Sequence, residues 1–127
     1  MIDILMATFN GERFIKEQLN SIGRQTYKDW RLIIRDDCST DKTCEIIEDF
    51  MKEFPGKIKL YKNIKPSGGA KYNFLNMISD IEHNYVMFAD QDDVWHPDKI
   101  KISFLEMKKT EKYAGEGVPV LVYTDLI

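Results

Sequence analysis

The sequence has no run of basic residues, no apolar stretch long enough to cross a membrane, and only two cysteines. Without clustered lysine and arginine, a nucleic-acid partner is not expected, because duplex binding depends on neutralising phosphates. The opening MIDILM carries an acid and no basic flank, and nothing approaches the roughly 20 apolar residues of a membrane span. We therefore expect neither an export signal nor a membrane segment.

The two cysteines and two histidines do not form a recognisable metal or redox motif. Cys38 and Cys44 are six positions apart, with no second pair and no His-x-His sequence nearby. This spacing matches neither a zinc site nor a redox CxxC, so reduced thiols in a cytosolic protein are predicted. His83 and His96 have no partner at metal-ligand spacing, and both are predicted to lie at the surface.

What the sequence does contain is enough apolar material for one domain or a piece of one. It has 127 residues with a net charge of −3, and 43% of the residues are hydrophobic. A chain of this size buries about two thirds of its unfolded surface on folding. Its stability therefore does not require a disulfide or a structural metal.

Apolar strand-like runs alternate with segments of helical spacing along the whole chain. This alternation predicts an α/β sandwich with a mostly parallel sheet. The predicted loop between the third strand and third helix is Lys65–Gly69, where proline and glycine exclude regular structure. Strands are predicted at residues 2–7, 30–35, 57–62, 85–89 and 118–123, and helices at 12–25, 44–54, 74–81 and 97–109.

Polar and acidic residues follow three of the predicted strands. They are Thr8–Asn10 after the first strand, Asp36 and Asp37 after the second, and Asp90–Asp93 after the fourth. Ligands of open α/β sheets gather at the carboxyl ends of strands, so these groups are expected to meet in one crevice. Their mutual repulsion calls for a cation, and Mg²⁺ or Mn²⁺ bound together with substrate phosphates fits oxygen ligands. The pattern therefore predicts a nucleoside diphosphate ligand.

Four blocks of the sequence stand out: residues 3–11, 21–27, 33–41 and 88–95. Taken together and in this order, they resemble family 2 glycosyltransferases of GT-A fold, a Rossmann-like fold of nucleotide-diphospho-sugar transferases. The last block, with its DQDDVW segment, is similar to rhamnosyltransferase-like bacterial members. The resemblance covers nearly all of the chain.

The resemblance implies an inverting transfer of a sugar from a nucleoside diphosphate to a hydroxyl acceptor, with Mg²⁺ or Mn²⁺. Thr8 and Phe9 would line the nucleobase pocket, with Phe9 stacked on the base and Asp37 accepting a hydrogen bond from its imide nitrogen. Asp90 would face the ribose or the sugar, and Asp92 would approach the metal. The implied donor is UDP- or dTDP-linked, and the implied acceptor is a saccharide or a lipid-linked one.

Two further residues are candidates for the donor site. Asn10 lies near the end of the first block, directly after Thr8 and Phe9. Lys71 follows Gly68 and Gly69, where the backbone and an ammonium group could approach a phosphate, although a surface loop with a solvated lysine is the more common structure.

The resemblance also implies a part that the sequence does not contain. The family's general base, a carboxylate that deprotonates the acceptor, follows well after the DxD triplet, which is Asp90-Gln91-Asp92 in this sequence. No such segment precedes Ile127. Residues 1–127 are therefore expected to be the nucleotide-sugar-binding part of a truncated domain, inactive alone, with no catalytic residue identified. Cys38 stands where the family commonly has glycine, so strain is expected if the backbone there has a positive φ.

Two other functions fit parts of the pattern. A non-catalytic nucleotide-binding module would need the same pocket without a base. A phosphoacceptor receiver domain shares the length and the sheet type, but it would place an acidic pair after the first strand and a lone acid after the third. The leading expectation is a glycosyltransferase of bacterial cell-surface polysaccharide synthesis that acts in the cytoplasm or peripherally at the inner face of the membrane.

Overall fold

Four strands and four α-helices alternate along the chain in the computed structural model, which describes residues 1–124. A single 3₁₀ turn, Ile78–Asp80, follows the third helix. The strands are β1 (Ile2–Thr8), β2 (Trp30–Asp36), β3 (Ile58–Lys62) and β4 (Val86–Asp90), and the helices are α1 (Ile15–Gly23), α2 (Thr43–Glu53), α3 (Ala70–Met77) and α4 (Lys99–Ala114).

The strands form one parallel sheet in the order β3-β2-β1-β4. β1 lies at the centre, where Thr8 pairs with Asp36 of β2 and Ala7 pairs with Asp90 of β4. The near-continuous apolar composition of β1 and β2 suits strands that are covered on both faces. Because the register is parallel, the carboxyl ends of β1, β2 and β4 lie along one edge of the sheet.

The two faces of the sheet carry separate apolar clusters. On β1, Ile4 and Met6 belong to the larger cluster, together with residues of α1, α2 and α4. Leu5 belongs to a smaller cluster on the other face, with Ile33 of β2 and Met77 of α3. The chain thus runs outward from β1 to β3 and then returns, by way of α3 on the opposite face, to β4 on the far side of β1. The strand order reverses between β1 and β4, which is where open α/β sheets form a ligand crevice.

The predicted α/β sandwich with a mostly parallel sheet is confirmed, and eight of the nine predicted elements are present. The predicted strand at residues 118–123 is wrong: within the described residues this segment is irregular, and Leu121 and Tyr123 are 80% and 86% exposed. An apolar run becomes a strand only when a neighbouring strand supplies its hydrogen bonds, and Pro119 lacks an N–H to donate. The expected continuation of the chain past Ile127 lies outside the described residues.

A buried carboxylate fastens the opposite, amino-terminal edge of the sheet. Asp3 is fully buried and accepts hydrogen bonds from Arg31 Nε at 3.0 Å and from the backbone N–H groups of Glu82 and His83 at 2.8 and 3.1 Å. The ring Nδ1 of His83 lies 2.9 Å from Asp3 Oδ1. His83 is therefore not a plain surface residue as predicted, since it contacts this carboxylate, whereas His96 is exposed.

Asp3→Ala is expected to lower the free energy of unfolding by about 3 to 5 kcal/mol, because it leaves the buried Nε of Arg31 and two backbone N–H groups without their acceptor. Burial raises the pKa of Asp3, but its hydrogen bonds outweigh burial and hold the pKa below the ordinary 3.8. The stabilisation is then present above pH 3.8 and is lost as the pH falls through the lower folded-state pKa.

Urea denaturation of wild type and variant from pH 2 to 7 checks this expectation. Asp49→Ala serves as the control, because Asp49 pairs with Lys52 in full contact with solvent and its loss should leave the midpoint unchanged. An Asp3→Ala midpoint as high as that of the control at pH 7 would contradict the stabilising role.

Candidate functional site

A pocket of about 300 Å³ lies at the carboxyl ends of β1 and β4, at the place where the strand order reverses. Five of the predicted site residues line it: Thr8, Phe9, Asp37, Asp90 and Asp92. They come from the ends of three strands and are up to 84 positions apart in the sequence, from Thr8 to Asp92. The expectation that these polar strand ends converge on one crevice is confirmed by the coordinates, whereas the roles predicted for the residues stay predictions.

Asp36, the first acid of the third block, holds the neighbouring loops together and does not line the pocket. Its Oδ1 accepts hydrogen bonds from the hydroxyls of Thr8 at 2.8 Å and Ser39 at 2.6 Å, and its Oδ2 accepts one from the N–H of Ser39 at 2.9 Å. The turn that follows gives Cys38 a φ of 64°, the left-handed conformation anticipated at the position where the family commonly has glycine.

Asp37 lines the pocket as a buried carboxylate with most of its hydrogen-bonding capacity filled. Its Oδ1 accepts from Asn63 Nδ2 at 2.8 Å and from the N–H of Ser67 at 2.6 Å, and its Oδ2 lies 2.9 Å from the hydroxyl of Ser67. Burial would raise the pKa of Asp37, but these hydrogen bonds lower it below the ordinary value. A carboxylate offers about four acceptor positions, so one remains for a ligand N–H.

The predicted flexible loop after β3 is fastened to Asp37 through residues that sequence analysis missed. Asn63 Nδ2 donates to Asn73 Oδ1 at 2.7 Å as well as to Asp37, and Asn73 Nδ2 donates to the carbonyl of Arg35 at 3.1 Å. Asn73 is 1% exposed and lines the pocket from α3. The apolar spacing predicts a third helix that begins at Phe74, which leaves Asn73 outside it. The helix begins at Ala70, and Asn73 lies on its buried side. With the helix begun at Ala70, an asparagine at a buried position indicates a polar partner.

Phe9 presents its ring at the pocket while its backbone is held. The side chain is 56% exposed, which is unusual for phenylalanine and leaves a flat apolar face free. Its N–H donates to Gln91 Oε1 at 3.0 Å, and its carbonyl accepts from Gln91 Nε2 at 3.1 Å. Gln91 lies between Asp90 and Asp92, so this amide pair links the first block directly to the DxD segment.

Within the described residues, no side-chain cation neutralises the carboxylates of the DxD segment, Asp90 to Asp93. Desolvation raises the pKa of Asp90, and the negative charges of Asp93 and Asp92 raise it further. None of the ion pairs within residues 1–124 includes any of these three acids. An uncompensated group of oxygen ligands suits a hard divalent cation.

The geometry also says what kind of cation site this can be. Over residues 1–124, no group of three or more His, Cys, Asp or Glu side chains is arranged to hold a metal by itself. Mg²⁺ is commonly bound by one or two carboxylates, with phosphate oxygens and water completing the shell. Asp92, exposed at the pocket, fits such a shared site, in which a diphosphate supplies the remaining ligands.

Polar residues of α1 and of the segment just after it hold the DxD loop from behind. Gln18 Nε2 donates to the carbonyl of Asp90 at 3.0 Å, and the hydroxyl of Ser21 accepts from the N–H of Trp95 at 2.9 Å. Gln25, two residues past the end of α1, donates to the carbonyl of His96 at 2.7 Å and accepts from the N–H of Ile100 at 3.0 Å. Sequence analysis places Ser21 and Gln25 in the second block without a role and misses Gln18, which lies three positions before Ser21 on the same side of α1.

Asn10 and Lys71 do not line the pocket. Asn10, with a φ of 42°, accepts a hydrogen bond on its side-chain oxygen from the N–H of Thr40 at 2.9 Å, which joins the β1–α1 loop to the β2–α2 loop. Lys71 is exposed on the first turn of α3, next to Ala70, which does line the pocket. Their predicted donor-binding roles stay predictions.

Asp90→Asn is expected to stabilise the protein without ligand at neutral pH, because it removes one charge from a repelling group. The folded-state pKa of Asp90 is raised, so stability is greatest below the ordinary value of 3.8 and falls as the pH rises through the folded-state pKa. The melting temperature of the variant should therefore exceed that of wild type by a margin that grows from pH 4 to pH 7. A margin that is constant or that shrinks over this range would contradict the repulsion.

The sequence model described as Glycosyl transferase family 2 matches residues 3–120. This chain belongs to glycosyltransferase family 2. The membership accounts for the presence of all four motif blocks in one order.

Two curated relatives of this family 2 chain are bacterial enzymes. The dTDP-rhamnosyl transferase RfbG of Shigella flexneri is 44% identical over 99 residues, which are 76% of this chain and 34% of RfbG. The UDP-Glc:alpha-D-GlcNAc-diphosphoundecaprenol beta-1,3-glucosyltransferase WfgD of Escherichia coli is 31% identical over 111 residues, 86% of this chain and 42% of WfgD. The chain thus spans well under half the length of either relative. The resemblance to rhamnosyltransferase-like members is confirmed.

Solved structures of other glycosyltransferases share the fold. Staphylococcus aureus TarS superposes with a TM-score of 0.75 at 27% identity, over 85% of this chain and 19% of TarS. The Pyrobaculum calidifontis mannosyltransferase PcManGT, in complex with GDP-Man and Mn²⁺, has a TM-score of 0.74 at 20% identity, over 81% of this chain and 31% of that one. The predicted GT-A fold is confirmed. Within residues 1–124, none of the helices combines the length and apolarity that crossing a bilayer requires.

Proposed function

We propose that residues 1–127 are the nucleotide-sugar-binding part of a GT-A domain that transfers a sugar from a nucleoside diphosphate to a hydroxyl acceptor in bacterial cell-surface polysaccharide synthesis. One observation carries the proposal: Phe9, Asp37, Asp90 and Asp92 line a single pocket at the β1–β4 reversal of the sheet. An exposed aromatic ring, a buried acceptor and unneutralised carboxylates are together what a base, a ribose and a metal-bound diphosphate require.

The base-binding end of the pocket favours a pyrimidine. In our proposal Phe9 stacks on the base, Thr8 closes the pocket beneath it, and the remaining acceptor position of Asp37 receives the imide N–H of uracil or thymine. An ionised Asp37 suits this role, because its lowered pKa keeps it an acceptor at neutral pH. The names of RfbG and WfgD specify dTDP and UDP donors for those enzymes, which supports the same choice.

The diphosphate-binding end is formed by the DxD segment. Asp92 is the proposed ligand of Mg²⁺ or Mn²⁺, and Asp90 faces the ribose or the sugar. The metal, when bound, offsets the negative charge that develops on the departing diphosphate. The presence of Mn²⁺ in the complex of PcManGT, which shares this fold, supports the choice of a divalent ion. The hydrogen bond from Gln18 to the carbonyl of Asp90 keeps the backbone of the DxD segment in position for the ligand.

Donor binding and transfer are separable in this proposal. Inversion at the sugar requires a carboxylate base on the acceptor side, and we place that base and the acceptor site in a part of the protein beyond Ile127. RfbG, of which the matched segment is 34%, is long enough to hold such a part. The chain by itself then binds the donor without transferring the sugar, which is also what a non-catalytic nucleotide-binding module would do. A sugar-transfer assay on a full-length protein, set against this chain, decides between these two functions.

The acceptor and the place of action follow from the same proposal. The proposed acceptor is a saccharide or a lipid-linked one, and the name of WfgD specifies a lipid-linked acceptor for that enzyme. In our proposal the acceptor is met in the cytoplasm at the inner face of the membrane. A receiver domain is not supported, because Thr8–Asn10 follow β1 where such a domain needs an acidic pair, and membership in glycosyltransferase family 2 argues against it.

Thermal shift measurements test the donor site directly. Millimolar UDP or dTDP with Mn²⁺ is expected to raise the melting temperature, because a ligand that binds only the folded state stabilises it by mass action. Asp92→Ala should abolish the shift, whereas Glu116→Ala, which removes an equal charge from an exposed position outside the pocket, should keep it. The absence of a shift in wild type, or an equal shift in Asp92→Ala, would overturn the assignment.

A further inference from the structure

The side chain of Gln91 joins the two ends of the proposed donor site. Both polar atoms of its amide bond the backbone of Phe9, one as acceptor at 3.0 Å and one as donor at 3.1 Å. An amide fixed by two opposed hydrogen bonds cannot rotate without losing both. The Gln91–Phe9 amide pair thus sets the distance between the ring of Phe9 and the carboxylates on either side of Gln91.

Gly11 leaves the space that the amide of Gln91 occupies. A Cβ added at Gly11 would lie 2.3 Å from Gln91 Oε1 and 2.7 Å from its Cδ, closer than real contacts allow. Gly11 is not among the glycines with positive φ, so an alanine there meets a clash and no backbone strain. Because Gly11 has no side chain, the amide of Gln91 has room to lie against the backbone of Phe9.

The fixed distance matters for one class of ligand. A nucleoside diphosphate with a divalent metal must meet the ring of Phe9 at one end and the carboxylate of Asp92 at the other. A free nucleoside meets only the first end, and a free metal ion meets only the second. A change in the spacing of the two ends therefore weakens the spanning ligand and leaves the two partial ligands nearly unaffected.

We propose that Gln91 is a positioning residue that holds Phe9 and the Asp90–Asp92 segment in one register, so that a single metal-bound nucleoside diphosphate engages both. The proposal rests on the proposed donor-binding function and adds to it the residue that couples base recognition to diphosphate recognition. Gly11 contributes to this positioning, because the absence of a side chain there leaves space for the amide of Gln91.

Titration calorimetry and ligand-observed NMR on the whole chain test this role. The probes are UDP or dTDP with Mn²⁺, whichever wild type binds more tightly, the matching nucleoside without metal, and Mn²⁺ alone. Gln91→Ala is expected to weaken the metal-bound diphosphate about tenfold and to change the affinity for the nucleoside and for Mn²⁺ alone by less than about twofold. Asn76→Ala, an exposed amide on α3 away from the pocket, is the matched control and should change none of the three.

Gly11→Ala provides a second route that leaves Gln91 in the sequence. It should weaken the metal-bound diphosphate about as much as Gln91→Ala, because its Cβ displaces the amide. The double variant Gly11→Ala with Gln91→Ala should bind no more weakly than Gln91→Ala alone, since the clash has lost its partner. Two residues that support the fold independently would instead give additive losses of affinity.

Each other outcome decides against the proposal. An equal loss for all three probes in Gln91→Ala, an unchanged affinity for the metal-bound diphosphate, or additive losses in the double variant would overturn the positioning role while the donor site stands. Failure of wild type to bind UDP and dTDP with Mn²⁺ would overturn the donor-binding function, and the positioning role with it.

Discussion

Parallel pairing of β1 with both β2 and β4 is the constraint on which the whole site depends. It puts Thr8 opposite Asp36 and Ala7 opposite Asp90, so residues from distant parts of the chain end at one level. A register change of one residue in either strand would turn their side chains to the other face and separate the groups. The crossover by way of α3 places β4 directly beside β1, and the pocket lies at the carboxyl ends of these two strands.

The acids at this edge lie in different electrostatic environments, and we base the different roles proposed for them on this difference. Asp37 is buried and surrounded by donors, so it is stable as an anion and has one acceptor position left to read a ligand N–H. Asp90 and Asp92 repel each other and have no cationic partner in the described chain. This repulsion lowers the stability of the free protein, and in our proposal the binding of a metal-bound diphosphate relieves it.

The sequence allowed the sheet and the acidic strand ends to be predicted, because buried parallel strands are continuous apolar runs and each one stops at a polar group. It did not reveal that Gln18, Ser21, Gln25 and Asn73 hold the loops of the site by hydrogen bonds. A buried polar residue is recognised by its partner, and those partners lie far away in the sequence, as with Gln18 and the carbonyl of Asp90. The error at residues 118–123 has the same origin, because a strand also requires a neighbour that composition alone does not supply.

The central claim is that one ligand spans the pocket from Phe9 and Asp37 to Asp92, with a metal at the far end. A crystal structure of the chain with dTDP or UDP and Mn²⁺, with anomalous scattering used to locate the ion, measures this most directly. The account predicts the base on the ring of Phe9 within hydrogen-bonding distance of Asp37, and the Mn²⁺ peak bound to Asp92 and to both phosphates. A base held elsewhere, or a Mn²⁺ peak away from Asp92, would contradict it.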